Sequence, residues 1–93
     1  MTSKIIYKWG PLTGLNTISV RGRVIHAEYR DIGKFTANQG IYVWTEAKND
    51  DVADDPYYDL EIVGTGTPYD GVYHKTVIMP DGLVWHIVEK SYK

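Results

Sequence analysis

Two arginines separated by one glycine, Arg21-Gly22-Arg23, and a strand end rich in glycine and hydroxyl groups, Gly64-Thr65-Gly66-Thr67-Pro68, are the segments of this 93-residue chain best suited to hold a ligand. Two guanidiniums flanking a flexible residue can clamp a phosphate, because each offers paired N–H donors in a fixed plane. The glycines of the second segment allow close approach to the backbone, and Thr65 and Thr67 add hydroxyls, a combination that can hold a phosphate or ribose edge in a small concave nest. Each feature also has a plainer meaning. Two arginines at a turn are commonly solvated, and glycine inside a strand pattern usually marks a bulge or hairpin corner.

Eight Tyr and three Trp against a single Phe supply flat apolar faces with a polar edge. Tyr7, Trp9, Tyr57, Tyr58, Tyr69 and Tyr73 are candidate stacking faces for nucleobases, a stack being worth ~1–3 kcal/mol in single-strand binders. Most are expected to pack in a core or an interface. Trp9 and Tyr69 are the candidates for base stacking, and His86, next to Trp85, is a candidate ligand contact.

Catalysis finds less support. Asp59, Glu61 and His86 occur without the spacing of a nucleophile and its base, and no catalytic residue is assigned. The segment Gly64-Thr65-Gly66 lacks the downstream helix and lysine of a P-loop. His26, His74 and His86 each stand alone in strand-like runs, without the short-range pairing that fixes metal geometry. The acidic run from Lys48 to Pro56 lacks the alternating ligands, central glycine and distal glutamate of a calcium loop. No metal and no cofactor are expected, and the absence of cysteine removes thiolate chemistry, Cys-based zinc sites and disulfides together.

Net charge is −2, unevenly spread: Lys48 to Asp59 holds five Asp and one Lys, which leaves +2 on the remainder. A mildly basic body leaves room for a local anion site but is too weak for a surface that wraps duplex nucleic acid. No run approaches the ~20 apolar residues of a membrane-spanning helix, and the first residues carry too short an apolar stretch for a signal peptide, so an intracellular protein away from membranes is expected. Ninety-three residues are expected to form one domain, 1–93, burying only about 60–65% of the surface its unfolded chain exposes. Self-association would add apolar burial.

The elements that must position these residues are strands. Apolar residues alternate with a period of two between Gly, Pro, Asn and Asp punctuation, predicting seven short strands: Lys4 to Trp9, Asn16 to Val20, Val24 to Arg30, Ile41 to Ala47, Tyr57 to Val63, Val72 to Met79 and Leu83 to Lys90. Gly10-Pro11 is expected to stop the first, and Pro80-Asp81-Gly82 to join the last two as an antiparallel hairpin. Connections too short for helical crossovers predict an all-β fold, a small antiparallel sandwich or a partly open barrel. Asp31 to Gly40 and Lys48 to Pro56 are the two long loops. Both faces of the fourth and seventh strands carry apolar or aromatic residues, which would be awkward for an edge strand and implies a second packing surface.

Ile62-Val63-Gly64-Thr65-Gly66-Thr67-Pro68, the closing Val84-Trp85-His86-Ile87-Val88-Glu89, the opening Ile6-Tyr7-Lys8 and the segment Arg23 to His26 together resemble a family of small phage-encoded β proteins. That family carries an Ile-Val-Gly-Thr-Gly-x-Pro strand end and a Val-Trp-His closing strand. The resemblance spans nearly the whole chain, with Thr67 standing where histidine is common. It is similar in size, class and aromatic content to phage sponges that sequester the cyclic dinucleotides of bacterial CBASS defence without cleaving them. The resemblance implies an immune-evasion protein of the host bacterial cytoplasm, a homo-oligomer (dimer or tetramer) with a cyclic dinucleotide as ligand. Trp9 and Tyr69 would stack on bases, Arg21 and Arg23 would meet phosphates, and Thr65 and Thr67 phosphate or ribose. The other expectation is a protein-binding module, an inhibitor of a host protein or an accessory virion component, using the same aromatics as a hot spot.

Overall fold

Alternation of inward apolar and outward polar side chains is carried through the strands of the computed structural model, which describes residues 3–14, 16–31, 39–48 and 56–90. The strands are β1 (Lys4–Leu12), β2 (Ile18–Arg21), β3 (Arg23–Asp31), β4 (Gln39–Lys48), β5 (Tyr57–Gly64), β6 (Tyr73–Ile78) and β7 (Val84–Glu89). They form two antiparallel sheets, ordered β1-β4-β3 and β2-β5-β7-β6, packed as a sandwich. Of the two expected architectures the sandwich is the correct one, because neither sheet closes into a barrel. No helix among the described residues is long and apolar enough to cross a membrane.

Leu12, Val20, Ile41, Val43, Leu60 and Ile87 meet between the sheets and are almost completely removed from solvent. Each such side chain contributes roughly 1.5–3 kcal/mol of transfer free energy. β4 is central to its sheet and wet on neither face. Ile41, Val43, Thr45 and Ala47 point inward, while on the other side Tyr42 is buried beneath the Lys8 ammonium, 4.8 Å from its ring centroid. Gly10, at φ 138°, lets that ring lie against the β1 backbone, where a Cβ would sit 2.9 Å from Tyr42 Cδ2.

Gly10-Pro11 does not stop β1, contrary to expectation. The Gly10–Pro11 peptide is cis, and the strand continues past an irregularity between Trp9 and Leu12, where Leu12 pairs with Ile41. A proline at an edge costs the sheet no internal hydrogen bond, so it bends the strand instead of ending it. The expected β6–β7 hairpin is present, closed by Met79 N–H to Leu83 O at 2.8 Å, Gly82 N–H to Met79 O at 2.9 Å and Leu83 N–H to Asp81 Oδ1 at 3.1 Å.

β7 is no edge strand, and its second packing surface comes from the chain itself. β5 and β6 both run antiparallel to β7 from either side and are therefore parallel to each other. β5 ends at Gly64 opposite Trp85, whereas β6 begins at Tyr73 opposite Val88, so residues 65–72 must return along β7 before β6 starts. The inner face holds the core, and the return runs over the outer one. Val88, next to the core residue Ile87 and facing the opposite way, is fully buried there. The strap is pinned by Glu89 N–H to Val72 O at 2.7 Å.

Gly22 is the corner at which the chain leaves one sheet for the other. Arg21 ends β2, Arg23 starts β3, and Gly22 between them has φ 98° with its α-carbon pressed on β4: a Cβ would meet Glu46 O at 2.6 Å. Only glycine combines that dihedral with that approach.

Candidate functional site

The Gly22 corner opens onto a groove of about 340 Å³ at one end of the sandwich, between the start of β1, the end of β4 and the start of β5. Lys4, Arg23 and Lys48 bring three cations to it, and Glu46 is the one carboxylate among the described residues lining it. Lys4 and Lys48 stand directly opposite each other in the β1–β4 register, a like-charge pairing that destabilises a ladder unless an anion lies between. Glu46 is shared by Lys4 at 3.4 Å and Arg23 at 3.6 Å, with both cations largely exposed. Such exposed pairs hold their partners weakly. Among the described residues lining the groove, cations outnumber carboxylates.

Tyr58 supplies the aromatic wall. Its hydroxyl donates to Gly22 O, and its ring is stacked on His74, with centroids 5.7 Å apart and planes 18° apart. His74 Nε2 lies 3.4 Å from Glu89 Oε1. Burial first, and the nearby Glu89 carboxylate second, push the Tyr58 phenol above its ordinary pKa. The phenol thus stays neutral and rigidly placed.

Arg21 and Arg23 do not form one clamp, because the corner sends them apart. The Arg21 guanidinium donates to Tyr7 Oη at 2.7 Å and lies 5.2 Å from the Tyr7 ring centroid. Trp9 joins the same cluster, contacting Tyr7 and Tyr57, but its indole N–H donates to Thr45 Oγ1 at 2.8 Å. Thr45 is fully buried and donates in turn to Arg21 O at 2.7 Å. Trp9 is thereby committed to the seam between β1 and β2. Tyr57, opposite Arg21 across β2–β5, leaves more of its ring to solvent.

Thr65 and His86 lie elsewhere, on the outer face of the four-stranded sheet. Thr65 Oγ1 is 2.9 Å from His86 Nε2, Thr76 Oγ1 is 2.9 Å from His86 Nδ1, and Tyr73 Oη is 2.7 Å from Thr76 Oγ1. This chain of hydroxyls ties the head of the strap to β7 and β6. Thr67 closes the turn through its backbone, donating to Gly64 O at 3.1 Å. Tyr69 sits with Pro68, Asp70, Glu61 and Lys90 along a shallow hollow on β5, next to two carboxylates. The three histidines occupy separate places: His26 beside Trp44 and Glu28, His74 on Tyr58, and His86 under Thr65.

The seven sequence candidates therefore divide into Arg23 at the groove, Arg21 and Trp9 in the adjacent seam, and Thr65, Thr67, Tyr69 and His86 around the strap. Tyr58, one of the candidate stacking faces, also lines the groove, while Lys4, Lys48 and Glu46 are site residues that sequence reasoning missed. Their only signal is cross-strand register, which period-two patterning does not contain. The acidic run tied to Lys48 and Pro56 falls on residues 49–55, outside the described residues, as does most of the loop between β3 and β4.

Comparison with known families places the chain plainly. Over residues 2–93 it matches, and belongs to, a family described as a domain of unknown function, DUF7352. No curated protein and no solved structure matches it.

Proposed function

We propose that this member of the DUF7352 family is a non-catalytic binding protein that captures a cyclic dinucleotide signal of bacterial defence and withholds it, acting as a phage sponge in the host cytoplasm. The observation that carries this reading is the opposed Lys4–Lys48 pair with Arg23 beside it, three cations lining one corner where Glu46 is the one carboxylate among the described residues. An anion placed there gains charge-assisted hydrogen bonds. Tyr58 supplies an aromatic wall at the groove, and Tyr57, in the adjacent seam opposite Arg21, an exposed ring. Arg21 is turned away from the groove toward Tyr7 and is not one of its cations.

At about 340 Å³ the groove is at the small end of the ~300–1,000 Å³ typical of small-molecule sites. It suits one nucleotide moiety, leaving the second half of a cyclic dinucleotide to reach beyond the groove or into that of another copy. The described groups around it are suited to binding charge and shape, which is what a protein that gains by holding its ligand intact requires.

A thermal-shift panel of cyclic dinucleotides and linear nucleotides tests the reading. Ligand at a hundred times its Kd should add about 2.7 kcal/mol of stability, a shift of several degrees for a domain of this size. Chromatography of ligand released by heating should return it uncleaved. A protein-binding module is the second reading, favoured by the exposed Tyr57 beside the Arg21–Tyr7 pair, aromatic and arginine residues being common anchors of protein interfaces. It predicts no shift with any nucleotide.

A further inference from the structure

On the outer face of the three-stranded sheet, Lys8, Trp44 and His26 form one row across β1, β4 and β3, each directly opposite the next. Residues so paired point to the same face, and that face is the outer one, because Val43 and Thr45 on either side of Trp44 are buried in the interior. The Arg30 guanidinium lies over the same indole, 5.1 Å from its centroid, and the His26 ring is 5.3 Å from it. The face is open to solvent: Ile6, His26 and Arg30 are 61%, 59% and 44% exposed.

The three tryptophans are used differently. Trp9 is committed to Thr45, and Trp85 packs against the core between the sheets. Trp44 does neither; it is partly exposed, and its indole N–H has no acceptor among the described residues. Around it Lys4, Lys8, Arg23 and Arg30 outnumber Glu28 and Glu46, the carboxylates on this face among the described residues. Each carboxylate is already divided, Glu46 between Lys4 and Arg23, Glu28 between Arg30 and His26.

Cations over aromatic rings have a plain reading, in which their stems shield apolar surface from water. Tyr42 fits it, being buried beneath Lys8. Trp44 does not, because it stays partly open with cationic groups on both sides.

We propose that this face binds single-stranded nucleic acid, with one base stacked on Trp44 and the neighbouring phosphates held by Lys8 and Arg30. The Arg30–Glu28 pair is exposed, and such pairs are weak enough for Arg30 to exchange its carboxylate for a phosphate as the base arrives. A single strand suits the face better than a duplex: a flat sheet three strands and ~10 Å across offers a ring to an unpaired base but enters no groove. An acidic protein surface would meet the cations and leave the indole unused. The site is separate from the groove at the Gly22 corner, which Lys8, His26, Arg30 and Trp44 do not line, so it adds a second ligand class to the reading above.

Fluorescence anisotropy of labelled oligothymidine and oligouridine, titrated with the full chain, tests this, with a duplex and polyglutamate as controls. The wild type should bind the single strands saturably, and the duplex and polyglutamate at least about tenfold more weakly. Trp44→Leu should weaken binding by about tenfold or more with unchanged far-ultraviolet circular dichroism, and Trp44→Phe, which keeps a stacking face, should retain most of it. Lys8→Ala and Arg30→Ala should each reduce the slope of log affinity against log salt by roughly 0.7, one phosphate contact. Lys75→Ala, which removes an exposed lysine from the other sheet, should change neither affinity nor slope. A wild type that binds neither single strand would overturn the inference. So would polyglutamate bound as tightly as the single strands, which would assign the face to an acidic protein. Wild-type affinity in Trp44→Leu, or a salt slope unchanged in both Lys8→Ala and Arg30→Ala, would overturn it as well.

Discussion

The hydroxyl of Tyr58 donates to the carbonyl oxygen of Gly22, so the aromatic wall of the cationic groove and the corner where the chain changes sheets are fixed to each other by one bond. Arg23 leaves that corner toward the groove and Arg21 toward Tyr7. The geometry of the site thus rests on a backbone conformation only glycine adopts readily.

Gly22→Ala tests that dependence. A Cβ at φ 98°, 2.6 Å from Glu46 O, forces strain together with displacement of β4 backbone. The expected loss is on the order of 2 kcal/mol or more. Melting temperature should fall by about 4–8 °C per kcal/mol, as followed by circular dichroism.

Thr45→Val should be costly for a different reason. It leaves the Trp9 indole N–H without its acceptor and Arg21 O without its donor in a buried place. At about 1–3 kcal/mol for each group left unpaired, a loss of roughly 2–4 kcal/mol is expected. Urea denaturation should show a lower midpoint with an unchanged slope, and Thr45→Ser should recover most of the stability.

Tyr58 makes the fold sensitive to alkali. Its folded pKa is raised above the ordinary value of 10.0, so the unfolded chain ionises first as pH rises. The stabilisation is complete below that ordinary value and is lost as pH climbs through the higher folded one. Tyr58→Phe should be less stable at neutral pH by about 0.5–1.5 kcal/mol, through loss of the bond to Gly22, and should decline less steeply above pH ~10. Parallel melts from neutral to alkaline pH measure both effects.

Thr65→Val removes the hydroxyl that meets His86 Nε2 at the head of the strap. The site is exposed, so global stability should fall by no more than about 1 kcal/mol. The local effect should be larger: the Glu89 amide, bonded to Val72 O, should exchange its hydrogen faster while the Ile87 amide keeps its protection.

Most of the fold was legible because strand patterning is local. Leu83, Trp85 and Ile87 alternate against Val84, His86 and Val88, which identifies a strand covered on both faces, and Pro80-Asp81-Gly82 identifies its hairpin. What covers the second face was not legible, since the β5-β7-β6 order is set by long-range pairing and turns Gly64 to Pro68 from a corner into the head of a strap. The candidate site was less legible still. Arg21 and Arg23 look like one clamp if a strand runs through them, because residues two apart share a face; the sheet change at Gly22 breaks that rule. Lys4 and Lys48 are 44 positions apart and meet only through the β1–β4 register.

The most direct test of the proposed function is calorimetric titration of cyclic dinucleotides into the wild type, Arg23→Ala and Lys4→Ala at low and at high salt, with the ligand recovered afterwards. Saturable binding that weakens with salt, falls at least about tenfold in each variant and returns intact ligand is the predicted result. Absence of heat with every cyclic dinucleotide, binding indifferent to both substitutions, or recovery of cleaved ligand would contradict it.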